Sequence, residues 1–236
     1  MNVDGVITDP ERLTGIYGAC YKLSVFITLF ATAFRMGVEP FFFRQATAEN
    51  REVQYAQVAY YFVVFGSLLF LAVIVFLDPL AKLFIREAVY REGLHIVPWV
   101  LMGALFLGVY HNLSVWYKLK DKTHIGALIS GAGALVTLVI NIVFIPKWGY
   151  LASAVATFSA YLLMMCVSFF WGRKVYRIPY RVGTMLVYLL LAFGLGWSAY
   201  DLFADQSWVK YGLLLVFASF VAVKEAKDFK RIFSEL

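Results

Sequence analysis

The sequence holds seven separate apolar stretches, each close to the length that an α-helix needs to cross a membrane. They run over 15–38, 59–77, 94–116, 125–145, 151–171, 184–203 and 209–223. At 1.5 Å of rise per residue, about 20 residues span the ~30 Å of hydrocarbon in a bilayer. The pattern therefore predicts an all-α, polytopic membrane protein with seven transmembrane helices. Composition agrees. The chain is 62% hydrophobic and 15% charged, with a mean hydropathy of +0.75, where soluble domains carry about 25% charged residues. Seven spans and their connections use up nearly all 236 residues, so no soluble domain fits beyond the tail after Lys224.

The basic residues fall on alternate sides of the spans. One side holds Arg44, Arg51, Lys118, Lys120, Lys122, Arg173, Lys174, Arg177, Arg181, Lys224, Lys227, Lys230 and Arg231; the other holds Arg12, Lys82, Arg86, Arg91, Lys147 and Lys210. Cytoplasmic loops carry the excess of Lys and Arg, which puts the richer side and the C-terminus in the cytoplasm. The net charge of +6 is spread over these short loops and is no nucleic-acid footprint. An odd number of spans places the N-terminus outside. Residues 1–14 (MNVDGVITDPERLT) lack the apolar core and cleavage site of a signal peptide, so they read as an external loop. The expectation is a C-terminal part of a larger transporter, or a chain whose partner supplies the other half.

Local signals refine the spans. Pro40 removes a backbone donor and predicts a kink or stop in the first helix. Residues 80–93 form a partly amphipathic segment at the outer surface. The third span closes on Trp116-Tyr117-Lys118, an aromatic and basic interfacial anchor. Spans four and five form a hairpin with small residues on both arms, which predicts a packed internal element. Spans six and seven contain no internal charge and read as peripheral. Cys20 and Cys166 both lie in apolar spans and read as buried free thiols. The glycosylation-like Asn112-Leu113-Ser114 sits near the inner end of a span and is set aside.

Ionisable groups inside a membrane are costly, and they face bundle interiors or wet cavities. Arg35 and Glu39 are four apart on one helix face, which allows them to pair. They read as a cationic site for an anionic substrate group, with Glu39 tuning it or carrying a coupling proton. The competing structural reading has both snorkel to the headgroups. Lys22 points about 140° away from Arg35 on the same helix, towards the outer part of a cavity or outward to the interface. His111 titrates near neutral pH in its free form and is a proton-relay candidate, although no carboxylate partner is visible. Asn112 is a further cavity candidate. Asn141, inside span four, reads as an interhelical hydrogen-bonding residue. His95 and His124 lie at the two interfaces. Enzyme chemistry has no support: there is no phosphate loop, HExxH, paired-carboxylate motif or Cys/His metal spacing. No catalytic residue, metal or cofactor is expected, and Asp78 before Pro79 reads as a turn residue.

Three segments carry a family resemblance: GIYGACYKLS with EPFFFRQA (15–24 and 39–46), NLSVWYKLKDKT (112–123) and NIVFIPKWGYLASAVAT (141–157). Together they resemble the C-terminal half of the oligosaccharide flippases (Wzx-type polysaccharide biosynthesis proteins), in the superfamily that also contains the MATE exporters. The last segment departs from the family pattern at Ala152 and Ser153, where Gly and Ala are usual. The resemblance covers about 15–181. It implies one lobe of a MATE-like two-lobe transporter plus two extra C-terminal helices: 1–14 as a remnant external loop, 15–181 as a five-helix lobe, and 182–236 as the two added helices with a basic tail. It implies export of undecaprenyl-diphosphate-linked glycans across the bacterial inner membrane by alternating access, in polysaccharide, lipopolysaccharide or O-antigen biosynthesis. The implied partners are that lipid-linked glycan, membrane lipids, a missing N-terminal lobe and a coupling proton or sodium ion. Lys22 and Arg35 match in type what such a cationic cavity uses.

Other readings remain at this stage. A MATE-like exporter of organic cations needs cavity carboxylates, and only Glu39 is available. A membrane enzyme needs catalytic residues in an external loop, and those loops are short. A non-transporting membrane subunit is a fourth reading.

Overall fold

The computed structural model describes residues 10–44 and 49–234, with backbone alone for Phe43 and residues 227–234. The described residues form helices and short connections, and seven helical segments are long and apolar enough to cross a membrane. The first span is built from α1 (Pro10–Tyr21) and α2 (Val25–Arg44), joined through a 3₁₀ turn at Lys22–Ser24. Pro40 lies inside α2, which continues to Arg44. The expected proline stop is therefore absent; a single missing backbone bond is a loss that membrane helices accommodate. The interruption falls instead at Ser24, whose hydroxyl donates to the Tyr21 carbonyl at 2.7 Å. Such back-bonding competes with the helix ladder and bends it.

Helix α3 (Arg51–Val75) forms the second span, and α4 (Leu77–Phe84) with a 3₁₀ stretch at Ala88–Ile96 forms the connection beyond it. Helix α5 (Val97–Leu113) and the short α6 (Val115–Leu119) make the third span. Then come α7 (Thr123–Trp148), α8 (Tyr150–Val175), α9 (Val182–Asp201) and α10 (Ser207–Ser234). The turn between α7 and α8 is a single residue, Gly149, at φ +58° and ψ −139°. That backbone conformation is open essentially to glycine alone.

Helix α5 is the hub. It packs on α8, α3, α2 and α9, with Leu101 and Leu105 fully enclosed beside Phe62 and Phe70 of α3. Helix α7 lies at the other extreme: 11% of its span is buried, against 78% for the third span. It leans chiefly on α8 and leaves Leu128, Leu135, Leu138 and Ile142 uncovered. The α7–α8 hairpin is therefore not internal as a unit. Its small residues serve more than one contact, with Gly133 against Met164 across the hairpin and Gly126 against Tyr117 of α6, and α8 makes the larger contact with the central helix. Asn141 also departs from expectation, since its Oδ1 has no hydrogen-bond partner.

The last two spans differ: α10 keeps its expected peripheral position, with 17% of its span buried, whereas α9 departs from it. Helix α9 packs along α3 and buries Tyr188, Ala192 and Ala199 completely. Helix α10 turns Phe217, Val221 and Glu225 inward. The Glu225 carboxylate accepts hydrogen bonds from Tyr60 of α3 (2.5 Å) and Tyr188 of α9 (2.7 Å). A buried carboxylate needs such donors, and here they tie three helices together. Trp116 and Tyr117 are also buried rather than facing a headgroup layer, because the chain bends at Ser114 and folds Trp116 against Gly172 of α8 and Tyr117 against Gly126 of α7. Both cysteines are free, Cys20 buried and Cys166 half-buried.

Polar contacts gather at the two ends of the bundle. At one end Arg12 pairs with Glu92 (3.0 Å) and the buried Lys210 with Asp78 (3.0 Å). Asp78 is thus an ion-pair partner in the first turn of α4, not the turn residue expected. At the other end Lys118 pairs with Glu39, and Tyr176 donates to Glu52.

Candidate functional site

Arg35 and Glu39 reach the Lys118 end of the bundle on consecutive turns of α2. Facing them are His111 and Asn112 from the last turn of α5, and Lys118 from α6. The kink at Ser114 makes this possible. Its hydroxyl donates to the His111 carbonyl at 2.6 Å, and the chain restarts as α6 with Lys118 directed at α2. Together Arg35, Glu39, His111, Asn112 and Lys118 line one recess. Its volume is about 20 Å³, enough for about one water molecule.

The pairing within the recess differs from the helical-wheel expectation. Glu39 accepts from the Lys118 ammonium at 2.5 Å, so its partner comes from another helix and not from Arg35. Both members are partly covered by protein, and the bond is short and charge-assisted. Arg35 is exposed and makes no ion pair or hydrogen bond among the described residues. His111 is faced by Arg35 and Lys118 as cations and by Glu39 as the carboxylate, so the acidic neighbour invisible in the linear sequence is supplied by α2. Asn112 is buried and donates from Nδ2 to the Gly108 carbonyl of its own helix at 3.0 Å, which occupies one of its two donors.

Four of the five candidate residues thus share one recess, and Lys22 does not. It opens the 3₁₀ turn between α1 and α2 and is exposed there. Lys118, an interfacial anchor by sequence, belongs to the recess as well. The signal that points to it is depth: Glu39 and Lys118 sit at corresponding heights near the same ends of neighbouring spans. Among the described residues no group of three His, Cys, Asp or Glu side chains is placed to hold a metal ion.

A seven-span helical bundle of this hydropathy is a multi-pass membrane protein. The MatE family model matches residues 8–143, more than half of the chain. The chain belongs to the MatE family of membrane exporters. No curated protein and no solved structure gives a significant match.

Proposed function

We propose that the protein moves a lipid-linked oligosaccharide, carried on undecaprenyl diphosphate, from the cytoplasmic to the outer leaflet of a bacterial inner membrane. The observation that carries this reading is the state of the charges in the recess. Glu39 is bonded to Lys118, which leaves Arg35 as an exposed cation with no hydrogen-bonded carboxylate among the described residues. A guanidinium in that state suits the bidentate recognition of a phosphate. An exporter of organic cations needs the reverse, a carboxylate free of its cation.

The recess is far too small for a glycan. It serves as one wall of a larger cavity, with a second lobe facing α2, whose Leu29 and Met36 are largely uncovered. Alternating access between two such lobes delivers the diphosphate past Arg35. The basic Lys118 end is the cytoplasmic one, as the excess of Lys and Arg there indicates.

Inverted membrane vesicles carrying the transporter test substrate class directly. They are expected to protect a fluorescent undecaprenyl-diphosphate glycan from an external quencher and to leave ethidium unaccumulated. Ethidium uptake that depends on Glu39, without glycan protection, would favour the cation-exporter reading instead.

A further inference from the structure

A second and much larger concavity lies at the same end of the bundle, between α6, the end of α8 and the connection 176–181 into α9. It measures about 1080 Å³, within reach of a lipid headgroup with its glycerol and the first acyl carbons. Its rim carries Arg173, Lys174 and Arg177. All three are exposed, and none makes an ion pair or hydrogen bond among the described residues. Its wall is apolar, with Leu113, Phe169 and Ile178 among the lining residues.

The inner surface of this cleft holds the more telling observation. Trp116 and Ser168 are almost completely buried, yet the indole Nε1 and the Ser168 hydroxyl have no hydrogen-bond partner, and nor does the hydroxyl of Tyr180. Buried polar groups are nearly always satisfied, and an orphan costs free energy. Three residues lining one cleft thus each carry an unsatisfied donor. Gly172 lets α8 pack directly on the indole: a Cβ there would lie 2.7 Å from the Trp116 Nε1. Glu52, which reaches this region, is already bound by the Tyr176 hydroxyl at 2.6 Å and by Arg51 at 3.0 Å, so it does not neutralise the rim.

We propose that this cleft binds the phosphate headgroup of an anionic phospholipid, with donors from Trp116, Ser168 and Tyr180 and charge from Arg173 and Arg177. The apolar wall takes the glycerol and the roots of the acyl chains, which is why a lipid fits better than free phosphate. Burial, and then the hydrogen bond to Glu52, push the Tyr176 phenol up to about 12, and burial raises that of Tyr180 as well. Both phenols therefore stay protonated and able to donate. The site uses none of the Arg35 recess, so it stands or falls separately from the transport reading.

Native mass spectrometry of the detergent-purified protein, titrated with phosphatidylglycerol, tests the assignment. The Arg173→Gln/Arg177→Gln double variant is expected to weaken binding about tenfold or more, and Trp116→Phe, which removes the N–H together with the five-membered ring, several-fold. Ser168→Ala replaces Trp116→Phe should the latter fail to fold. Arg86→Gln/Lys147→Gln, at the far end of the bundle, leaves binding unchanged. Phosphatidylcholine binds more weakly than phosphatidylglycerol, and millimolar inorganic phosphate does not displace the lipid. Equal phosphatidylglycerol binding by wild type and both site variants overturns the proposal. So does an equal loss in the far-end variant, and displacement by inorganic phosphate overturns the lipid as the ligand.

Discussion

Replacing Arg35 with alanine is expected to lower export of the lipid-linked glycan by about ten- to a hundredfold, with unchanged yield and thermal stability. The size follows from what the guanidinium gives a phosphate. Hydrogen bonds to charged groups contribute roughly 1.5–3 kcal/mol, and each 1.4 kcal/mol is about tenfold in affinity. Stability should hold because Arg35 is exposed and makes no ion pair or hydrogen bond among the described residues. Arg35→Lys keeps the charge without the planar fork and is expected to fall between the two. Surface glycan quantified in cells carrying each variant, alongside membrane yield, provides the check. Normal glycan in Arg35→Ala would mean that the residue only reaches for the headgroups.

Gly103→Leu is expected to be the most damaging single change to the fold. A Cβ at this position lies 3.2 Å from the Cα and 3.3 Å from the N of Phe158, so it meets the backbone of α8 and not a side chain that can rotate away. The contact belongs to the α5–α8 interface, the largest pairing of the central helix. In lipid, helices associate through close packing of small residues, since lipid tails are as apolar as leucine. Overpacking a tight site typically costs about 1–3 kcal/mol, and the upper end applies where backbone must move. The thermal unfolding midpoint in detergent should drop clearly for Gly103→Leu. Gly131→Leu is the control, because nothing lies within 4 Å of its Cβ position, and its midpoint should stay near that of wild type.

Sequence and structure agree on the spans and differ on the contacts between them, for one physical reason. Hydropathy measures distance from water, and a lipid-facing leucine is as far from water as a core leucine. It therefore located seven spans but did not distinguish the outward-facing α7 from the enclosed α5. Freedom from charge made α9 look peripheral, although Tyr188 sits at full burial against α3. Intramembrane charge was the stronger guide. Arg35, Glu39, His111 and Asn112 stood out individually because each is expensive in that setting, and the fold brings them into one recess. Their pairing was not readable, because the four-residue spacing on α2 offers Arg35 to Glu39 while the bend at Ser114 brings Lys118 to it. The orphaned donors of Trp116 and Ser168 carried no sequence signal at all, since a tryptophan beside a lysine reads as an interfacial anchor.

The central claim is that Lys118 holds Glu39 so that Arg35 stays free for an anionic substrate. Lys118→Ala releases Glu39, which sits four residues from Arg35 on the same helix and pairs with it at that spacing. Glycan export by Lys118→Ala is therefore expected to fall towards the level of Arg35→Ala. Adding Glu39→Gln removes the competing carboxylate, and the double variant Lys118→Ala/Glu39→Gln is expected to recover most of the lost export. A double variant as inactive as Lys118→Ala alone, or a single variant that exports normally, would contradict the account.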